Sequence, residues 1–143
     1  MPRSEAQGKG DSERPFRSYR QWAERIAPRV QAALAGKQEV PPQPPFTEAW
    51  LTYALYWRES PMSLEEVIFR ADSVNHAVPN PEEIAWAFIR LRKRGWLSVQ
   101  GDSYALTAEG RRAVESIVDN GDLWEQIERL EQWTLAHPMP GDE

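Results

Sequence analysis

Three cationic side chains near the end of a predicted central helix could bind phosphate. Arg90, Lys93 and Arg94 fall on one arc of the helical wheel, where arginine and lysine can contact DNA phosphates or the edge of guanine. Arg111 and Arg112, which follow a predicted hairpin, could hold the phosphate backbone. Double-stranded DNA is therefore a candidate partner. Cations at a helix end also complement the helix dipole, so the first cluster can equally be a solvated helix end.

The same arc carries an indole and two carboxylates, which favour a different kind of contact. Trp86 lies between Glu82 and Arg90 on the polar side of the helix, and tryptophan is enriched at protein-interaction hot spots. Trp86 is therefore a candidate contact for a protein partner. The alternative is that a flanking helix covers it and makes it part of the core. Glu82 and Glu83 stabilise the first helical turn but would face phosphate oxygens in a DNA complex.

Metal and nucleophile chemistry find little support in the sequence. The chain has no cysteine and two histidines, His76 and His137, which excludes disulfides and thiolate metal sites. The grouping of Asp72, His76 and Glu82 matches no metal-ligand spacing, and neither a phosphate-binding glycine loop nor a nucleophile elbow is present. We predict that the protein is not an enzyme and needs no metal or cofactor.

The balance of charge also bears on the choice of partner. Lys and Arg total 17 against 22 Asp and Glu, for a formal net charge of -5, and the excess of acid is concentrated in residues 119–143. Because DNA binding depends on phosphate neutralisation, this protein would need a local basic patch. The hydrophobic fraction of 41% is typical of a globular chain, and no apolar run is long enough for a membrane span. We expect a cytoplasmic protein without a membrane partner.

Hydrophobic periodicity and turn residues divide the chain into segments. The predicted organisation is a disordered arm over 1–15, a helical arm with a Pro-rich linker over 16–45, a domain over 46–119, a C-terminal helix over 120–137 and a disordered tail over 138–143. The expected elements are a helix over 18–36 that is kinked or restarts at Pro28, helices over 47–58, 63–71, 81–94, 107–118 and 123–136, and a β-hairpin over 96–106. The last helix carries apolar side chains that we expect to mediate dimerisation: Leu123, Trp124, Ile127, Leu130 and Trp133.

The order of three helices, a hairpin and a further helix resembles the winged helix-turn-helix superfamily. RLRKRGWLSV (90–99), YALTAEGRR (104–112) and ADSVNHAVPNPEEI (71–84) resemble the recognition helix, wing and turn of PadR-like and MarR-like bacterial regulators. The resemblance implies a mostly α fold with a small β-hairpin, helical extensions at both ends, and a dimeric DNA-binding transcriptional regulator. The alternative is a winged-helix protein-protein interaction module without significant DNA binding. The net charge, the absence of a basic residue at the hairpin tip and the position of Trp86 favour that alternative.

Overall fold

The helical wheel and the turn residues predicted most of the elements that the structure contains. The structure is a computed structural model that describes residues 18–36 and 43–139. The predicted arm over 1–15, residues 16–17 and 37–42 of the helical arm and its Pro-rich linker, and residues 140–143 of the tail lie outside the described residues. The described part is mostly helical with one small antiparallel sheet. Its elements are α1 (Tyr19–Ala35), α2 (Pro45–Tyr56), β1 (Met62–Ser63), α3 (Leu64–Asn75), α4 (Pro81–Arg94), β2 (Leu97–Gln100), β3 (Ser103–Leu106), α5 (Ala108–Val118) and α6 (Leu123–Ala136).

Local capping residues determine where most helices begin. Asn80 and Glu83 form a reciprocal capping box at the start of α4: the Glu83 backbone N–H donates to Asn80 Oδ1 over 2.8 Å, and the Asn80 N–H donates to Glu83 Oε1 over 2.9 Å. Ser18, Ser63 and Thr107 each accept from a backbone N–H three residues later, at the starts of α1, α3 and α5. These side chains accept hydrogen bonds from first-turn N–H groups that have no partner within the helix, which is why the predicted starts are confirmed there.

Three elements differ from their predictions. Helix α2 begins at Pro45, because proline suits the first helical turn, and Thr47 lies inside the helix. Helix α3 continues to Asn75 and ends at His76, whose φ of 56° is a left-handed C-cap. Helix α1 does not restart at Pro28 but runs through it as one element. The carbonyl that Pro28 cannot bond belongs to Glu24, and both residues are exposed, so water can satisfy it.

The predicted hairpin is confirmed, and the structure adds a strand to it. The sheet has the order β1-β3-β2, with Leu97 opposite Leu106 and Met62 opposite Tyr104. Strand β1 is two residues long, so it has no alternating pattern that could be recognised in the sequence. The buried side chain of Met62 joins this strand to the core.

Helix α2 is the centre of the core. It packs on α3 and α4, on strand β3 and on α6. Its side chains are apolar on nearly all sides, and a helix of that kind must be buried on more than one side. Helix α6 supplies the additional cover from within the same chain.

Helix α1 packs on the pair α3 and α4. Ile26 and Val30 are fully buried in this contact. At its start, the Tyr19 hydroxyl donates to Asp72 Oδ2 over 2.7 Å, and Trp22 Nε1 donates to the Pro79 carbonyl over 3.2 Å. The α1 contact thus covers part of α4, the helix that the sequence presented as a recognition helix.

Candidate interaction surface on helix α4

Two of the arginines that were predicted to contact DNA bind a carboxylate inside the protein. Glu48 of α2 accepts from Arg90 Nε at Oε1 over 2.9 Å and from Arg94 Nε at Oε2 over 2.5 Å. Glu48 is 2% exposed and Arg90 is 6% exposed. The structure therefore buries Arg90, one of the candidate DNA contacts, and leaves the side chain of Arg94 9% exposed. The first half of α2 covers that side of α4, and the helical wheel of α4 alone cannot show it.

Arg94 also contacts a tryptophan of α6 and the one that follows α4. Its guanidinium carbon lies 5.2 Å from the ring centroid of Trp133 and 6.0 Å from that of Trp96. Its Nη2 is buried and has no hydrogen-bond partner among the described residues. The neighbouring indole faces provide cation–π contacts to this guanidinium, and such contacts strengthen when the cation is desolvated.

The remaining predicted contacts separate into one structural residue and two exposed residues. Arg111 donates from Nη1 to the Tyr56 carbonyl over 3.2 Å and from Nη2 to the Arg58 carbonyl over 2.7 Å, so it caps the end of α2. Lys93 and Arg112 are exposed, and neither forms a hydrogen bond or ion pair within residues 18–36 and 43–139. Only these two retain the accessibility that a phosphate contact requires.

Trp86 forms one wall of a groove between α1 and α4. The groove has a volume of about 350 Å³ and is lined by Arg29, Ala32, Ala33, Pro81, Glu82, Ala85 and Trp86. Trp86 is half-buried: it packs against the core, and part of its side chain stays accessible in the groove. Glu82 pairs with Arg29 at the edge of the groove. The groove therefore has small apolar side chains, one large aromatic wall and an ion-paired margin.

The predicted dimerisation stripe on α6 is used mainly within the chain. Ile127 and Leu130 are fully buried in the core beneath α6. Trp133 lies against Trp96 with ring centroids 4.9 Å apart and the rings tilted by 32°, and Leu123 is half-buried against the same core. Trp124 is 52% exposed, so it is the member of the predicted stripe that stays accessible to a partner.

A second, more open cavity lies between α5 and α6. Its volume is about 630 Å³, and its lining is Ser116, Ile117, Glu125, Glu128, Arg129, Gln132 and Trp133. Arg129 donates to the carbonyls of Val118 and Asn120, which fixes it against the end of α5. The cavity mixes both charges with an indole.

Two tyrosines have shifted acidities. Burial raises the pKa of the Tyr53 phenol above its ordinary value, and the neighbouring Tyr56 raises it further. Burial also raises the pKa of Tyr104, with a smaller contribution from the charge of Asp102. The Tyr53 hydroxyl donates to Gln126 Oε1 over 2.5 Å, so the protonated phenol joins α2 to α6. Both side chains are buried in the core.

Glu48 is the residue of this region that the sequence analysis missed. It is the one charged residue in an otherwise apolar helix, α2. A charge that must be buried requires an oppositely charged partner, so this isolated carboxylate was the available signal. The basic run at the end of α4 was the available source of partners.

No protein-family model, no curated protein and no solved structure matches the chain. Within the described ranges, no group of three or more His, Asp or Glu residues could hold a metal ion. No helix in this part of the protein has the length and apolar character needed to cross a membrane.

Proposed function

We propose that the chain is a winged-helix protein-protein interaction module whose partner binds at the groove around Trp86. The observation that carries this proposal is the internal use of the arginines that a DNA-binding α4 would present. Arg90 and Arg94 are bound to Glu48, and α1 lies against the same helix. Besides the exposed Lys93 near its end, α4 leaves accessible the half-buried indole of Trp86 and its groove.

The topology of the sheet and helices supports the winged-helix part of the proposal. The elements follow the order α2, β1, α3, α4, β2 and β3, and the strands pair in the order β1-β3-β2. A winged helix-turn-helix domain has this order, with α3 and α4 as its helix-turn-helix pair and the β2-β3 hairpin as its wing. In that arrangement α4 is the helix that contacts the partner.

The distribution of charge supports a protein partner over duplex DNA. DNA affinity comes largely from cations that neutralise phosphates, and Arg90, Arg94 and Arg111 are engaged within the chain. At the hairpin tip the turn is Gly101-Asp102, which offers no cation to a minor groove. A phosphate backbone at the hairpin tip would meet the carboxylate of Asp102 and no cation of that turn.

The groove suits one bulky apolar side chain of a partner. Ala32, Ala33 and Ala85 leave space between the two helices, and the Trp86 indole can stack against an inserted side chain. Buried anchors of this kind, surrounded by polar margins, carry most of the energy of protein interfaces. The Arg29–Glu82 pair at the edge can exchange its partners with polar groups on the incoming chain.

Site-specific photo-crosslinking tests this function. A photoreactive benzophenone amino acid replaces Trp86 in the full-length protein, and a matched protein carries it at Glu24, an exposed position of α1. We expect one dominant crosslinked protein when the photoreactive residue is at position 86. This product should be absent when the residue is at position 24, and an excess of unmodified protein should compete it away. Equal crosslinking from both positions would contradict a specific surface at Trp86.

A DNA-binding transcriptional regulator, acting as a dimer, is the second candidate. The specific observation in its favour is that the side chains of Lys93 and Arg112 are exposed and form no hydrogen bond or ion pair within the described residues. In vitro selection of genomic DNA fragments at near-physiological salt tests it. A shared motif, lost in the double variant Lys93→Glu/Arg112→Glu, would establish this function, and recovery of background sequence alone would reject it. Arg90 is unsuitable for this variant because its replacement would also disrupt the core.

A further inference from the structure

The outer face of α6 is a second exposed surface, separate from the groove at Trp86. Trp124, Glu128, Glu131 and Leu135 follow one another at spacings of four, three and four residues, so they share one face of the helix. Trp124 is 52% exposed and Leu135 is 62% exposed. The face therefore has an exposed apolar residue at each end, about 16 Å apart along the helix axis, with the exposed Glu128 and the half-buried Glu131 between them.

The carboxylates of this face are not neutralised by the rest of the described chain. Neither Glu128 nor Glu131 has an ion pair within residues 18–36 and 43–139. The single cation of α6 is Arg129, which is directed to the carbonyls of Val118 and Asn120 at the end of α5. The exposed face consequently combines uncompensated negative charge with two large apolar side chains.

We propose that this face of α6 binds a cationic amphipathic segment of a protein partner. Apolar residues of that segment pack on Trp124 and Leu135, and its lysines or arginines lie between them against Glu128 and Glu131. This is the charge pattern that an amphipathic helix brings to a complementary acidic surface. Two copies of the same face would bring like charges together, which disfavours self-association through it.

The proposal does not depend on the function proposed for the Trp86 groove, because the two surfaces share no residue. A complex at α6 can form whether the α4 surface binds protein or DNA. The variant Trp86→Ala distinguishes the two: added in excess, it should fail to compete with partner capture by the protein that carries the crosslinker at position 86, and it should bind at α6 as the unmodified protein does.

Fluorescence anisotropy with a labelled synthetic peptide tests the α6 surface. The probe is a helix-forming peptide of Leu and Lys at amphipathic spacing, titrated with the full-length protein at low and at physiological salt. We expect Glu128→Gln/Glu131→Gln to weaken binding about tenfold and to reduce its salt dependence. We expect Trp124→Ser/Leu135→Ser to weaken it about tenfold with the salt dependence retained.

A matched double variant separates this face from the general acidity of the protein. Glu24→Gln/Glu115→Gln removes the same charge from exposed positions of α1 and α5, and it should bind the peptide as the unmodified protein does. Equal weakening by this control would overturn the proposal, as would failure of the unmodified protein to bind the peptide. Dimerisation that depends on Trp124 would also overturn it, because a second copy would then occupy the face.

Discussion

At the scale of single residues, Glu48 carries one negative charge between two buried guanidinium groups. Removing these three groups from water is costly, and the short contacts to Arg90 and Arg94 offset much of that cost. The arrangement also fixes how α2 meets α4, since a carboxylate with two occupied oxygens tolerates little displacement. Arg94 extends the same contact to α6 through Trp133. One carboxylate therefore helps to position three helices.

Replacement of Glu48 should destabilise the protein strongly. Glu48→Gln leaves two buried guanidinium groups without a countercharge, and loss of one partner from a buried ion pair costs about 3–5 kcal/mol. Urea unfolding followed by circular dichroism measures the change in free energy of unfolding. Glu24→Gln, an exposed substitution of the same type on α1, should change that free energy by about 0.5 kcal/mol or less. Similar stabilities for the two variants would show that the Glu48 cluster contributes little.

Gly110 is a second position where one atom decides the packing. A Cβ placed there would lie 2.8 Å from Trp96 Cβ and 3.0 Å from the Trp96 backbone, because the first turn of α5 presses against Trp96. We expect Gly110→Ala to lower the free energy of unfolding by about 1–3 kcal/mol despite the better helix propensity of alanine. Thermal and urea unfolding measure it. Ser116→Ala on the exposed side of α5 is the control, and a stabilised Gly110→Ala protein would contradict the close contact.

At the scale of elements, α1 is attached by apolar burial more than by its ion pairs. Ile26 is fully buried, so Ile26→Ala should cost about 2–4 kcal/mol of unfolding free energy. Arg29→Gln removes an exposed pair with Glu82 and should cost about 1 kcal/mol or less. Urea unfolding of both variants provides the comparison. The opposite order of effects would mean that charge, rather than the apolar face, holds α1 on α3 and α4.

The bounds of α4 and α6 could be predicted because their signals are local. Asn80 and Pro81 begin α4, and Gly95, with a φ of 83°, ends it, so each end is determined by the residue that occupies it. Strand β1 could not be predicted, because two residues carry no period and Met62 becomes a strand only by pairing with Tyr104. Signals of local conformation are present in the sequence, whereas long-range pairing is determined by the assembled fold.

In the candidate site, too, the local signals could be predicted from the sequence and the long-range contacts could not. The sequence identified Trp86 as the unusual side chain of α4 and gave both the exposed and the covered alternative; the structure shows an indole that is half-buried against α1. The sequence-based prediction misplaced Arg90, because the burial of that side chain depends on Glu48, which is 42 residues away in the chain. A helical wheel gives the direction of each side chain within one helix, but it contains no information about which neighbouring element covers that side chain.

At the scale of the whole molecule, stability should fall at alkaline pH. The folded protein holds the pKa values of Tyr53 and Tyr104 above that of an unfolded tyrosine, about 10, so the unfolded state loses these protons first. Their contribution to stability is complete below that pH and disappears as pH rises toward the folded pKa values. Urea unfolding at a series of pH values measures the decline. Tyr53→Phe should flatten it, and an unchanged slope would assign the decline to other groups.

The association state of the whole protein follows from where its apolar surface lies. Helix α6 buries Ile127 and Leu130 within its own chain, and the exposed large apolar residues are distributed over several elements. We therefore expect sedimentation velocity to give a monomer with the chain mass of 16.5 kDa at micromolar concentration. The sequence alone predicted a dimer through α6, so the experiment discriminates between the two. A dimer that Trp124→Ala dissociates would establish that prediction, because Trp124 is the accessible member of the stripe; a dimer insensitive to this substitution would require a different surface.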